Sequence, residues 1–87
     1  MWQDWPSSNG PHLQALEVPS GWLVVFRGHP ERIVFVLDTD HLCRNAQITW
    51  QDLLLQGGPP LRVASIACGQ LYHYAGEWCS LAYAYAP

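Results

Sequence analysis

The sequence predicts a mainly β domain of the α+β class with one short helix, folded as a small antiparallel β-barrel or as a strongly bent sheet of five to six strands. Short runs rich in β-branched and aromatic residues recur along the chain, and turn residues separate them. One segment after residue 48 instead has helical spacing between a cap and a stop. A helix packed on an open sheet is the alternative architecture.

The chain divides into an N-terminal arm, residues 1–11, and a single compact domain, residues 12–87. The arm carries a turn-forming run, Pro6-Ser7-Ser8-Asn9-Gly10-Pro11. Trp2 and Trp5 stand at its start. A disordered tail seldom keeps two tryptophans, because large aromatic side chains favour burial. We therefore expect Trp2 and Trp5 to pack on this domain or on a partner chain.

A β-hairpin is predicted in the first half of the chain. Residues 13–18 alternate loosely between apolar and polar side chains, and residues 19–21 form a turn. Residues 22–27 and 32–37 are the clearest strands, separated by the turn Gly28-His29-Pro30. Both strands are apolar on both faces. This pattern is typical of a sheet covered on both sides, a small barrel, or a sheet buried in a dimer.

A short helix is predicted at about residues 50–56. Thr49 and Asp52 have the spacing of a capping box, and Trp50 shares one helical face with Leu53 and Leu54. The run Gly57-Gly58-Pro59-Pro60 then ends the helix. Residues 41–48 before it fit a loop, a helical turn or a short edge strand equally well.

The last third of the chain reads as strands over residues 61–68, 71–75 and 78–85. A two-residue turn at Gly76-Glu77 would pair Tyr74 with Cys79 and Tyr72 with Leu81. This register predicts one face formed by tyrosines, namely Tyr72, Tyr74, Tyr83 and Tyr85. The opposite face would carry His73 and small residues.

The composition is poor in charge and rich in aromatic side chains. Only 13% of the residues are charged, lysine is absent, and five Trp and four Tyr lie among 87 residues. A domain this small cannot bury so much aromatic area, so part of it should form an exposed binding or oligomer interface. The net charge of −3 argues against nucleic-acid binding and against an anionic membrane surface.

Three cysteines, an odd number, argue against a secreted disulfide scaffold. The N-terminus has no signal-like pattern, and no apolar run is long enough to span a membrane. We therefore expect a cytoplasmic protein with free thiols.

No cofactor and no metal site are expected. Groups that could ligate a metal or act as nucleophiles are Asp38, Asp40, His41, Cys43, Cys68, His73 and Cys79. Zinc sites usually show paired ligands at short fixed spacings, and here the one close pair is His41 with Cys43. No spacing supports a Cys–His nucleophile either. An enzyme is therefore the least favoured function class.

The leading hypothesis is a small non-catalytic binding or assembly module that forms a homo-oligomer or contacts another protein. Its size is typical of bacterial, phage or mobile-element accessory proteins. Its interface would consist of the exposed aromatic residues Trp2, Trp5, Tyr72, Tyr74, Tyr83 and Tyr85. The alternative is a binder of a small apolar ligand, with Arg62 and His73 as the polar groups of an aromatic pocket.

Overall fold

The computed structural model describes residues 1–53, 60–75 and 80–86, and within these ranges the protein is all-β. Ten strands form three sheets. The strands are β1 (Trp2–Trp5), β2 (Ser7–Ser8), β3 (Leu13–Val18), β4 (Gly21–Phe26), β5 (His29–Leu37), β6 (Ile48–Thr49), β7 (Gln51–Leu53), β8 (Leu61–Ile66), β9 (Gly69–Tyr74) and β10 (Ala82–Tyr85).

Two four-stranded antiparallel sheets make up most of the fold. Sheet 1 has the order β1-β3-β4-β5, and sheet 2 has the order β10-β9-β8-β7. Most neighbouring strands follow one another in sequence, as expected where short turns connect antiparallel strands. The register between β4 and β5 shifts after Val24, so residues 30–33 bulge out of the ladder.

A short parallel pair, β2 with β6, forms the third sheet and joins the other two. Ser7 pairs with Ile48, and Ser8 pairs with Thr49. Pro6 separates β2 from β1, and Trp50 separates β6 from β7, so both chain segments change sheet at this point. We call this pair the clasp.

One hydrophobic core lies between the two large sheets. Because side chains alternate along a strand, sheet 1 directs Trp5, Trp22 and Phe26 into this core. Sheet 2 contributes Ala64 and Leu71. The aromatic rings meet edge to face, as in the Trp5–Trp22 pair with ring centroids 5.4 Å apart, which favours their quadrupoles.

The predicted barrel is wrong, because the sheets do not close. Within the described residues no backbone ladder joins β5 to β10, although the two strands lie side by side. Side chains bridge this seam instead. Arg32 donates from Nε to the carbonyl of Leu81 over 3.1 Å, and the Tyr83 hydroxyl oxygen lies 3.3 Å from the carbonyl oxygen of Leu37. The single bent sheet is replaced by two sheets and the clasp.

The helix predicted at 50–56 is also wrong over residues 50–53; its remainder lies outside the described residues. Trp50 is buried and donates from Nε1 to the carbonyl of Pro11 over 3.0 Å. The following residues, Gln51–Leu53, pair with β8. The pairing of β6 with β2 and of β7 with β8 gives more backbone hydrogen bonds than a one-turn helix would. Tertiary structure therefore overrides the local capping signal.

Candidate interaction surface

The outward side of sheet 1 carries a row of apolar side chains that crosses all four strands. The register places Trp2 opposite Leu16, Leu16 opposite Leu23, and Leu23 opposite Phe35. Directly paired residues of antiparallel strands lie on the same face, so the four side chains are neighbours. We call this surface the outer face.

The ends of this row are accessible to solvent. Trp2 is 42% exposed and Phe35 is 44% exposed, whereas Leu16 and Leu23 between them are half-buried. Ile33 and Leu37, two residues before and after Phe35, are exposed as well. A contiguous apolar patch of this kind is often functional and can mark an interface.

The row is electrically neutral. Its four residues carry no charge, and the nearest acid on the same face is Asp4, two residues after Trp2. Asp4 accepts a hydrogen bond of 3.4 Å from the Gln14 amide. The outer face thus offers apolar contact area with a polar margin, which is the usual anatomy of a protein interface.

The outer face explains why β4 and β5 are apolar on both sides. Trp22, Val24 and Val36 point inward and are fully buried. The alternate positions Leu23 and Phe35 point outward. Burial of the core accounts for only the first set, so the second set requires another explanation.

The two tryptophans predicted as interface residues fall on opposite faces of β1. Trp2 lies on the outer face. Trp5 is fully buried and belongs to the core. The expectation that the arm's tryptophans pack on this domain is therefore met by Trp5, while Trp2 remains accessible.

The predicted four-tyrosine face is wrong, because the register differs by one residue. Tyr72 pairs with Ala82 and Tyr83 pairs with Leu71, so these two tyrosines face opposite sides of sheet 2. Tyr74 shares the outward side with Tyr72, and Tyr85 shares the other side with Tyr83. A slip of one residue in β10 turns its whole tyrosine set over. The predicted turn at Gly76-Glu77 lies outside the described residues.

The predicted polar pocket residues occupy the core and its margin. His73 is buried, and its ring packs edge to face on Phe26 and Trp50, with centroids 5.4 and 4.5 Å away. Its Nδ1 lies 2.8 Å from the carbonyl of Tyr74. Burial lowers the pKa of His73, and the nearby Arg62 charge lowers it further against the opposing effect of the Tyr74 bond.

Arg62 is partnered by other groups. It pairs with Asp52, Nε to Oδ1, over 3.3 Å, and also donates to the carbonyl of Asn9. Arg62 and His73 are cross-strand neighbours. Arg62 forms the ion pair with Asp52, whereas His73 packs against the aromatic rings of the core.

The structure brings Asp38, Cys43 and Cys68 together in a buried group. The spacing of these residues along the chain does not predict this group. Their carboxylate and thiol ligand atoms lie within 4.8 Å of one another, near enough to share a metal ion. The Cys43 and Cys68 sulfurs are 3.5 Å apart. Within the described ranges no hydrogen bond joins either thiol to a histidine; His41 instead binds the carbonyl of Val18 through Nε2 over 2.8 Å.

Asp38 organises the loop between β5 and β6. It accepts three N–H bonds, from Trp22 Nε1 over 2.8 Å, from Leu42 N over 2.9 Å and from Cys43 N over 2.8 Å. Burial alone would raise its pKa, but these hydrogen bonds outweigh burial and lower the pKa below 3.8. Most of the carboxylate's acceptor sites are therefore already occupied.

The described surface also has shallow clefts. One of about 220 Å³ runs between Asp38, Cys68 and Tyr85. Another of about 280 Å³ lies against Cys43 and Ile66. Both are smaller than the pockets of about 300–1,000 Å³ that usually enclose drug-sized ligands. A third cleft, of about 320 Å³ beside His12, Arg27 and His29, lies at the lower end of that range.

Comparison with known proteins identifies no relative. No family model, no curated protein and no solved structure matches this chain. In the part of the chain that is described, no helix has the length and apolar character needed to cross a membrane.

Proposed function

We propose that this chain is a non-catalytic assembly module that pairs with a second copy of itself through the outer face of sheet 1. The observation that carries the proposal is the uninterrupted apolar row Trp2–Leu16–Leu23–Phe35. The flanking Ile33 and Leu37 extend it along β5. The proposal keeps Trp2 from the sequence-based interface and replaces the tyrosine set with residues of β3, β4 and β5.

The size of the outer face fits a small homodimer. Four strands spaced about 4.8 Å apart, each about 20 Å long, present a face of roughly 400 Å². Two such faces packed as a sandwich would bury about 1,000 Å² of accessible surface once side-chain relief is included. This value meets the lower limit for a specific interface.

A second copy is favoured over a different partner because the row is neutral. A two-fold interface brings the same patch of both copies together, so like charges within it would repel one another. The four residues of the row carry none. An acidic or basic partner would find no complementary charge there.

The competing functions find less support in the geometry. The open clefts described above lie below or at the lower end of the volume range of ligand pockets. The Cys43 sulfur lies 3.5 Å from the Cys68 sulfur, and burial raises the pKa of Cys43 to about 12. A thiol with that pKa remains protonated at neutral pH, so Cys43 is a poor attacking nucleophile for an enzyme's first step.

The test compares Phe35→Arg with Tyr74→Arg by sedimentation velocity across a dilution series. Both residues are 44% exposed, but Tyr74 lies on the outward side of sheet 2, so it is a matched control. Each dimer contains Phe35 twice. Losing about 1 kcal/mol of apolar contact per copy should weaken dimerisation about thirtyfold.

The expected result is a wild-type dimer, a monomeric and folded Phe35→Arg variant, and a Tyr74→Arg variant that dimerises like the wild type. Circular dichroism checks that both variants are folded. A wild-type protein that stays monomeric at the highest concentration refutes the proposal. Equal weakening by both variants would also refute it, since the interface would then not be the outer face.

A further inference from the structure

Two cysteine sulfurs meet where the β5–β6 loop contacts sheet 2. Cys43 belongs to that loop, and Cys68 lies in the turn between β8 and β9. Their Sγ atoms are 3.5 Å apart, although the residues are separated by 25 positions in sequence. Both side chains are buried, with Cys43 3% and Cys68 9% exposed. The fold thus brings two distant thiols into direct contact.

Both cysteines are held by hydrogen bonds to their backbones. The Cys43 N–H donates to Asp38 Oδ2 over 2.8 Å. The Cys68 carbonyl accepts from the Tyr83 hydroxyl over 2.6 Å and from the Ala86 N–H over 3.1 Å. A disulfide needs the sulfurs at about 2 Å, so the remaining gap of about 1.5 Å is within the range of a side-chain rotation. The anchored backbones keep the two thiols within reach of each other.

Each thiol also adjoins a surface cleft. Cys68 lines the cleft of about 220 Å³ beside Asp38 and Tyr85. Cys43 lines the cleft of about 280 Å³ beside Ile66. A water molecule occupies about 30 Å³ in the liquid, so an oxidant only slightly larger than water fits either cleft.

We propose that Cys43 and Cys68 form an oxidisable dithiol, which reacts with a small peroxide such as hydrogen peroxide to give an intramolecular disulfide. The site rests on the thiol contact and its clefts, and does not depend on the assembly proposal. In the first step the Cys68 sulfur attacks one peroxide oxygen, the O–O bond breaks, and water leaves; Cys68 becomes a sulfenic acid. In the second step the Cys43 sulfur displaces that hydroxyl as a second water and forms the S–S bond. The two thiols together lose two protons and two electrons, and the peroxide is reduced to two waters.

The order of the two steps follows from exposure. Cys68 is more exposed than Cys43. Burial, the contact with Cys68 and the Asp38 charge raise the pKa of Cys43 to about 12, so it keeps its proton at neutral pH. We therefore assign Cys68 as the residue that reacts first and Cys43 as the residue that resolves the sulfenic acid.

The disulfide would tie the β5–β6 loop covalently to sheet 2. The bond would close a long loop and so restrict the unfolded chain. We expect the melting temperature of the oxidised protein to rise by at least about 5 °C. Reduction should return it to the starting value.

The experiment treats the folded protein with hydrogen peroxide and measures its intact mass and peptide map. The third cysteine, Cys79, is replaced in Cys79→Ser, which serves as the parent for Cys43→Ser and Cys68→Ser. The parent should lose two hydrogens in mass through a Cys43–Cys68 bridge. The Cys43→Ser variant should instead gain oxygen at Cys68, trapped as an adduct of a sulfenic-acid probe such as dimedone.

Oxidation of the wild-type chain in urea provides an internal comparison. In an unfolded chain Cys68 with Cys79 closes the shortest loop, so that bridge should exceed the Cys43–Cys68 bridge about threefold. The folded protein should give Cys43–Cys68 instead. The proposal is overturned if the folded parent gains oxygen without losing hydrogens, or if its thiols survive peroxide unchanged. A bridge to Cys79 in the folded wild type also overturns it.

Discussion

Replacing Asp38 should destabilise the protein more than its position in a short loop would suggest. Its carboxylate accepts N–H bonds from Trp22, Leu42 and Cys43, and the side chain is buried. Alanine at this position would leave three donors without a partner. Asparagine keeps the shape of the side chain but offers one acceptor oxygen in place of two.

The magnitude follows from those bonds. An orphaned buried donor costs about 1–3 kcal/mol, so with three such donors Asp38→Ala should lose about 3–9 kcal/mol. In Asp38→Asn the amide oxygen can take the Oδ2 position and keep the bonds from Trp22 and Cys43. Its NH₂ group then faces the Leu42 N–H, which costs about 2 kcal/mol. A domain of this length has a total stability of only about 5–10 kcal/mol, so the alanine variant should be close to unfolding.

Urea unfolding followed by tryptophan fluorescence measures these differences in the free energy of unfolding. Asp40→Asn is the control, because Asp40 lies in the same loop and is exposed. The folded-state pKa of Asp38 is below its ordinary value of 3.8, so its stabilisation is complete above pH 3.8 and disappears as pH falls through the lower folded value. The gap between wild type and Asp38→Asn should therefore narrow in acid. A gap under about 0.5 kcal/mol at neutral pH would refute this account of the loop.

Two further predictions concern backbone space and a buried histidine. Gly21→Ala should destabilise by about 2 kcal/mol or more, since a Cβ there would lie 1.9 Å from the Val36 carbonyl oxygen. Gly28→Ala should cost only about 1 kcal/mol, because space is open and the cost comes from its φ of 81°; equal urea midpoints for the two variants would contradict this difference. Because burial holds the pKa of His73 below 6.5, its protonation favours unfolding, and wild-type stability should fall as pH drops below 6.5. In His73→Leu the free energy of unfolding should decrease less as the pH is lowered. If urea titrations give the same dependence of that free energy on pH for the variant and the wild type, His73 is not the cause.

The strands with strong local patterns could be predicted from the sequence. The hairpin expected from residues 22–27 and 32–37 is confirmed as β4 and β5. Its turn lies at Arg27-Gly28 and not at Gly28-His29-Pro30, because Phe26 pairs with His29. Residues 13–18 form β3 as expected. In these segments propensity, turn chemistry and burial all favour the same structure. Of the three interpretations of their apolar character on both faces, the barrel is wrong, and a sheet buried in a dimer stays a prediction.

Elements that depend on distant pairing could not be predicted in this way. The capping signal at Thr49 is local, whereas the partners of Thr49 and Trp50 come from residues 8–11. The prediction of a tyrosine face depended on the register between β9 and β10. An error of one residue in that register moves every side chain of a strand to the opposite side of the sheet. The outer face was only partly foreseen for the same reason: Leu16, Leu23 and Phe35 become neighbours only once three strands are aligned.

The clasp has a consequence for the order in which the chain folds. Sheet 2 and the β3–β4–β5 part of sheet 1 consist of neighbours in sequence, whereas Ser7 must find Ile48 from the far side of sheet 1. Bringing Ser7 to Ile48 closes a long loop and costs conformational entropy. The contacts that offset this cost exist only after both sheets have formed, so the parallel pair should form late. Until it forms, β1 is anchored only by its ladder with β3, in which Trp5 pairs with Leu13. Ser7 and Ser8 would thus dock last, although they precede β3, β4 and β5 in the chain.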